Sequence, residues 1–169
     1  NGSRPGVAES IERQCAQRFG LPVTVVRNST NLGFTRAVNQ GIAAAGGRHV
    51  LLLNNDCFLG PGCLPNLVKH LIWHPRTAVV GPLTGDHGKS SLRHRDRRRT
   101  AQVHIKRVAR HWNDPVTCAR WCRREFVIAE KVLPFFCALL HRDALAEIGP
   151  LDPAFPSGLA ADDDWCRRA

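Results

Sequence analysis

The sequence predicts an α/β domain built on a mostly parallel sheet. Two observations carry that expectation. Short β-branched or apolar runs alternate with amphipathic stretches in the order β-α-β-α-β over residues 21–81. One of those runs, His49–Leu53 (HVLLL), is continuously apolar, as in a strand buried on both faces of a parallel sheet. A third bounds the size: 169 residues make one domain with room for a real core.

Leu21–Arg27 (LPVTVVR), set between Gly20 and Asn28, reads as the first strand. Thr35 is placed to cap a helix from about Arg36 to Ala45, with Ala37, Val38, Gly41, Ile42 and Ala45 on one face. Gly46-Gly47 stops that helix, and the His49–Leu53 strand follows. Pro61 opens a second helix, whose Leu64, Leu67, Val68, Leu71 and Ile72 keep helical spacing, and His74-Pro75 ends it. Ala78–Gly81 is the next strand. Further on, Phe135–His141 (FFCALLH) reads as a strand, Arg142–Ile148 as a short helix, and Gly149-Pro150 as a turn. No internal repeat is visible.

A hydrophobic fraction of 43% with mixed charge fits a soluble globular chain. No apolar run reaches the roughly 18–20 residues that span a bilayer, and the start lacks the layout of a signal peptide. The chain opens on Asn1-Gly2-Ser3 without a methionine and stops at Arg167-Arg168-Ala169 within a helical pattern, so both ends are expected to lie inside a larger domain. Seven cysteines without framework spacing point to free thiols in a reducing cytoplasm. The net charge of +10 is local: residues 93–110 hold eight Lys/Arg against one Asp.

In open α/β sheets, ligands sit beyond the carboxyl ends of the strands. Asn54-Asn55-Asp56 directly follows the His49–Leu53 strand. A turn alone accounts for three such side chains, because Asn and Asp bond their own backbone. The functional reading is a hard-cation site: one carboxylate and neutral oxygens suit Mg²⁺ or Mn²⁺ shared with phosphate and water. Asp162-Asp163-Asp164 is the second polar cluster. Adjacent carboxylates repel, and a helix N-terminus offsets that in part. They serve either as a solvated cap or as a general base with a neighbour that positions acceptor or metal. The third cluster, Asn28 to Phe34, is a loop whose Gly33 permits close backbone approach.

The order of these pieces resembles glycosyltransferase family 2, of rhamnosyltransferase-like type. Asn31-Leu32-Gly33-Phe34, Asn39-Gln40-Gly41-Ile42 and Leu51-Leu52-Leu53-Asn54-Asn55-Asp56 are similar to the family's NxGF, NxGI and lllNxD. The likeness continues in Val80-Gly81-Pro82-Leu83, Phe136-Cys137-Ala138-Leu139-Leu140, Ile148-Gly149-Pro150-Leu151-Asp152 and Phe155. It ends in Asp162-Asp163-Asp164-Trp165-Cys166-Arg167-Arg168, where the family reads roughly (E)DDDxCxR. Asn1-Gly2-Ser3 looks like the remains of the DNGS turn.

The resemblance implies a GT-A fold, the Rossmann-like three-layer arrangement of nucleotide-diphospho-sugar transferases. It also implies inverting transfer of a hexosyl or deoxyhexosyl group from a nucleoside-diphosphate-sugar to a saccharide or lipid-linked acceptor, as in cell-wall or polysaccharide biosynthesis. Residues 1–169 would then be a partial GT-A domain without its first strand and base-binding acid, with 84–130 as a variable basic insertion. By the same likeness Asp56 is the metal ligand, and Asn1, Asn31, Gly33, Asn39, Asn54 and Asn55 belong to the donor side. Asp162 takes the base position, with Asp163 and Asp164 beside it. Two departures stand out: Ala161 replaces the family's Glu, and Arg4-Pro5 replaces the Thr-Asp after Asn-Gly-Ser.

The basic segment 93–110 reads as a solvated loop or as a contact for a phosphorylated or lipid-linked acceptor or an anionic membrane face. The latter would make the protein cytoplasmic and peripheral at the inner membrane face. The competing function is a non-catalytic or truncated GT-A domain that binds polyanions through 93–110. Nucleic acid is disfavoured, since the run lacks interleaved aromatics and any nucleic-acid fold signature. His70 and His74 have zinc-compatible spacing but no third ligand nearby, and read as a surface pair. Cys118 and Cys122 read as helix residues. Trp112, Trp121 and Trp165 are either sugar-stacking or buried.

Overall fold

The structure is a computed structural model and describes residues 1–19, 23–57, 59–60, 62–82, 133–158 and 160–169. The basic segment, Trp112, Trp121, Cys118 and Cys122 lie outside the described residues, as does the 84–130 insertion. In chain order the elements are α1 (Val7–Phe19), α2 (Phe34–Ala44), β1 (His49–Leu53), α3 (Cys63–Trp73), β2 (Val79–Val80), β3 (Cys137–His141), α4 (Arg142–Ile148) and α5 (Ala161–Arg168).

The helices and strands after residue 33 fall close to where the apolar spacing predicts them, with β3 starting at Cys137 rather than Phe135 and β2 confined to Val79–Val80; Pro61, expected to open α3, lies outside the described residues. The sheet does not follow the expected pattern. Its order is β1-β3-β2, and both pairings, β1 with β3 and β2 with β3, are antiparallel. So the mostly parallel sheet is corrected for the described residues. The β1-α3-β2 unit does run its two strands in the same direction, since each opposes β3. The long-range return of the chain inserts β3 between them, and no local pattern in β1 or β2 encodes that.

The position of β3 explains its composition. Cys137, Ala138, Leu139 and Leu140 are all buried, because β3 is the central strand. Successive side chains point to opposite faces. Ala138 and Leu140 join Ile42, Val50, Leu145, Leu151, Ala161 and Trp165 in one apolar cluster. Cys137 and Leu139 join Leu67, Leu71 and Val80 in another. Hence α2, α4 and α5 cover one face of the sheet and α3 the other. β1 is the less buried strand: Val50 is buried, Leu51 and Leu52 are half-buried, and Leu53 is exposed. The reading of β1 as buried on both faces is corrected accordingly.

Three further expectations change. Residues 23–28 form no strand, and Val23 and Val26 are exposed. A β-branched run becomes a strand only with a ladder partner, and among the described residues none pairs with this one. Residues 21 and 22 of the expected strand lie outside the described residues. The segment is instead tied to α1 by Arg27, which pairs with Glu9 and Glu12. That helix, VAESIERQCAQRF, has no counterpart among the sequence-predicted elements. Thr35 does not cap α2; Gly33 is the N-cap and Thr35 lies inside the first turn, buried.

At the far end of the sheet from the polar turns, His49 faces His141 across the strands, with ring centroids 5.1 Å apart. Burial and the neighbouring His141 hold the His49 imidazole below its usual pKa. Arg142 braces the same end, donating from Nε to the Gly47 carbonyl at 2.9 Å and from its guanidinium to Ala45.

Candidate functional site

β1 delivers Asn54 at its carboxyl end, where antiparallel β3 begins; Leu53 lies opposite Cys137. The Asn54 N–H donates to the Phe136 carbonyl at 2.8 Å, and the Cys57 N–H closes the turn on the Asn54 carbonyl at 3.1 Å. The Cys57 thiol also donates to the Phe136 carbonyl, at 3.3 Å. The turn is thereby held by its backbone and by Cys57. The side chains of Asn54, Asn55 and Asp56 are exposed and have no hydrogen-bond partner among the described residues.

The start of the acidic helix meets the neighbouring residue, Phe135. The Phe135 N–H donates to Asp162 Oδ2 at 3.4 Å, while Asp162 Oδ1 accepts from the Asp163 N–H at 3.0 Å. Phe135-Phe136 thus bears the Asn54–Cys57 turn on one residue and the start of α5 on the other. The three carboxylates differ in surroundings. Asp162 is half-buried and oriented by two N–H groups. Asp163 has no side-chain partner among the described residues. Asp164 pairs with Arg168 at 2.9 Å, and Arg168 also donates to the Ile148 and Pro150 carbonyls. All three lie in the first turn of α5, where the helix dipole favours negative charge. The N-cap is Ala160, a non-glycine residue in the left-handed region with φ 65°.

The loop leading into α5 is clamped on α2. The Asn39 amide donates to the Leu151 carbonyl at 2.8 Å and accepts from its N–H at 3.0 Å. Thr35 Oγ1 donates to the Phe155 carbonyl, and the Phe34 N–H to that of Pro156 at 2.8 Å. Both ends of the Asn39 amide are therefore engaged by the backbone. Thr35 and this loop were not singled out as site residues from sequence, since bonds between residues 120 positions apart leave no local spacing to read.

Gly33 makes this clamp geometrically feasible. Its φ is +81°, and a Cβ there would collide with the Pro156 carbonyl oxygen. Gly33→Ala is therefore expected to lower unfolding free energy by about 2–4 kcal/mol, combining the left-handed penalty with a forced backbone shift. Urea denaturation checks it. A change under about 0.5 kcal/mol would mean the loop does not rest on α2.

Around Gly33 lies an amide network. Asn1 Nδ2 donates to Asn31 Oδ1 at 2.9 Å and to the Gly33 carbonyl at 3.1 Å, and Asn1 Oδ1 accepts from the Leu32 N–H at 2.8 Å. Asn28 and Gln40 exchange bonds of 2.7 and 3.1 Å, and Asn28 reaches Asn1. The structure thus brings Asn1, Asn31 and Gly33 together. Gln40, quoted in the motif but assigned no role from sequence, anchors this network to α2.

Among the described residues no group of three or more His, Cys, Asp or Glu is placed to hold a metal. That excludes a protein-built cage there, His70 with His74 included. Asp56 carries an exposed carboxylate between the Asn pair and Cys57. Cys15, Cys57, Cys137 and Cys166 are free thiols. Burial pushes the Cys137 thiol up to about 11, with Cys63 and Cys57 adding to it, so it is no nucleophile near neutral pH. Trp165 is fully buried and donates to the Gly149 carbonyl at 2.9 Å, so the burial reading holds for it.

No curated protein and no solved structure matches the chain. The model of the family described as glycosyl transferase family 2 matches residues 1–149. The match takes in Asn1, Asn31, Gly33, Asn39 and the Asn54–Asp56 turn, and ends before Asp162. Covering most of the chain, it establishes that the protein belongs to glycosyl transferase family 2, whose fold is GT-A and whose members move a sugar from a nucleotide-sugar donor to an acceptor.

Proposed function

We propose that the chain is an inverting, metal-assisted transferase. It moves a hexosyl or deoxyhexosyl group, the latter on the rhamnosyltransferase-like pattern, from a nucleoside-diphosphate-sugar to a hydroxyl of a saccharide or lipid-linked acceptor. The observation that carries this reading is the shared seat on Phe135-Phe136, which puts an exposed Asn-Asn-Asp turn and an oriented carboxylate at one end of the sheet.

Asp56 holds Mg²⁺ or Mn²⁺ in this reading, and Asn54 and Asn55 bond diphosphate oxygens. Such an ion, when bound, would supply charge neutralisation for the departing diphosphate. Asn1, Asn31 and Gly33 bound the donor side, while Asn39 contributes by holding Leu151. Asp162 is the base. As the acceptor oxygen bonds the anomeric carbon, the bond to the diphosphate oxygen breaks and its electron pair leaves with the diphosphate. The acceptor proton passes to the Asp162 carboxylate. Asp163, with no competing partner among the described residues, positions the acceptor. Asp164 fixes the helix through Arg168. Holding donor and acceptor in line supplies much of the remaining acceleration.

The basic segment 93–110 enters as an acceptor-side contact, for a phosphorylated or lipid-linked group or an anionic membrane face. Nucleic acid remains the disfavoured partner. Among the described residues no helix is long and apolar enough to cross a membrane; a cytoplasmic, peripheral setting is the proposal.

Calorimetry of the full-length protein with UDP-, GDP- and dTDP-sugars, with and without Mn²⁺, tests the donor. Asp56→Ala is expected to weaken Mn²⁺-dependent donor binding by about tenfold or more, the loss of one charged ligand. Unchanged metal-dependent affinity in that variant removes Asp56 from the site. Failure of every donor to bind, with salt-sensitive polyanion affinity lost on deleting 93–110, favours the binding-module reading.

A further inference from the structure

α3 buries Leu67 and Leu71 and turns a second apolar group outward. Ile72 is 62% exposed and Trp73 67%, the most exposed large hydrophobic side chains among the described residues, and Leu64 is exposed on the flank. Burial of α3 against the sheet does not account for them. Helical spacing sets Lys69 one turn before both, at i+3 and i+4, so a cation stands between Ile72 and Trp73. Arg76 follows just beyond the helix and is exposed. From Cys57 to Gly85 the chain has no Asp or Glu.

We infer that this outer face of α3 docks the protein on an anionic lipid bilayer. Tryptophan and isoleucine enter the headgroup–acyl boundary, and Lys69 and Arg76 meet the lipid phosphates. The charge decides between this occupant and a second copy of the chain. A two-fold contact through the patch would bring two Lys69 and two Arg76 together, and the segment 57–85 that carries them supplies no acidic residue to offset them. An anionic headgroup layer neutralises the same cations, each worth about tenfold or less in affinity near the surface. The long aliphatic stem of Lys69 lets its ammonium reach the phosphates while the patch is buried. Peripheral docking also agrees with the absence of a membrane-crossing helix among the described residues. The inference does not rest on the donor chemistry, because none of these residues belongs to the proposed site.

Flotation of the full-length protein with phosphatidylcholine vesicles, with and without about 30% phosphatidylglycerol, tests it. Binding is expected only to the anionic vesicles. Ile72→Ser with Trp73→Ser should reduce it at least about tenfold, and so should Lys69→Gln with Arg76→Gln. Both pairs are exposed, so melting temperatures should stay near that of the parent, and donor affinity should not change. Brominated acyl chains should quench tryptophan emission in the parent and much less in Trp73→Phe. Four results would each overturn the inference: no binding by the parent, full binding by the double serine variant, unchanged quenching in Trp73→Phe, or a parent dimer that the serine pair converts to monomer. Loss of vesicle binding on deleting 93–110, with the serine pair unaffected, would assign membrane contact to that segment instead.

Discussion

Trp165→Ala is expected to lower the unfolding free energy by about 3–5 kcal/mol, a large part of the roughly 5–15 kcal/mol typical of a domain. The indole is fully buried, tilts against Phe135 at a centroid distance of 5.7 Å, and donates to the Gly149 carbonyl. Alanine leaves a cavity where α5 meets the sheet and an unpartnered carbonyl at the end of α4. Because α5 carries the acidic triplet and Phe135 bonds Asp162, donor turnover should fall even in the folded fraction. Trp165→Phe separates the two contributions. It keeps most of the packing and loses the hydrogen bond, an expected cost of about 1–2 kcal/mol. Thermal and urea unfolding measure both. If alanine costs no more than phenylalanine, the indole is not a core anchor.

Asp162→Asn should leave stability near the parent's and reduce kcat by about 10²–10⁴-fold, the usual worth of a positioned general base. Asparagine retains one oxygen to accept from the Phe135 or Asp163 N–H, so α5 stays seated. It cannot take the acceptor proton. The expected signature is therefore a fall in kcat with little change in KM for the donor. Undiminished turnover would place the base elsewhere, with Asp163 next to test. Coincident loss of stability would make Asp162 a structural residue of the Phe135 junction.

How much was legible differs from element to element. α3 and α4 were readable because their signals are local: apolar residues one turn apart, His74-Pro75 after the first and Gly149-Pro150 after the second. β3 announced itself as a continuous apolar run, though not as the centre of the sheet. α1 was missed even though Val7, Ile11, Cys15 and Phe19 keep a four-residue spacing; Val7 and Ile11 are exposed. Residues 21–27 had the composition of a strand, and composition alone does not supply a ladder. Thr35 looked like a cap because Thr favours that position. Tertiary contact with Phe155 drew it into the helix instead.

For the site, the sequence by itself determined the chemical inventory: a glycine loop, an Asn-Asn-Asp turn after a strand, and a triple carboxylate at a helix start. Motif order alone pointed to the family that the residue 1–149 match establishes. Only the tertiary structure decided which of these groups are engaged by partners among the described residues. It commits Asn39 to Leu151 and one Asp162 oxygen to the Phe135 N–H, and leaves Asn54, Asn55 and Asp56 without side-chain partners among the described residues. It also seats the turn and the acidic helix on Phe135-Phe136, and it sets β3 between β1 and β2. The reason is physical. Composition and periodicity report what each segment needs locally. Strand order and the occupancy of an amide or carboxylate depend on partners about 30 to 110 residues away, whose approach is fixed by packing of the whole core.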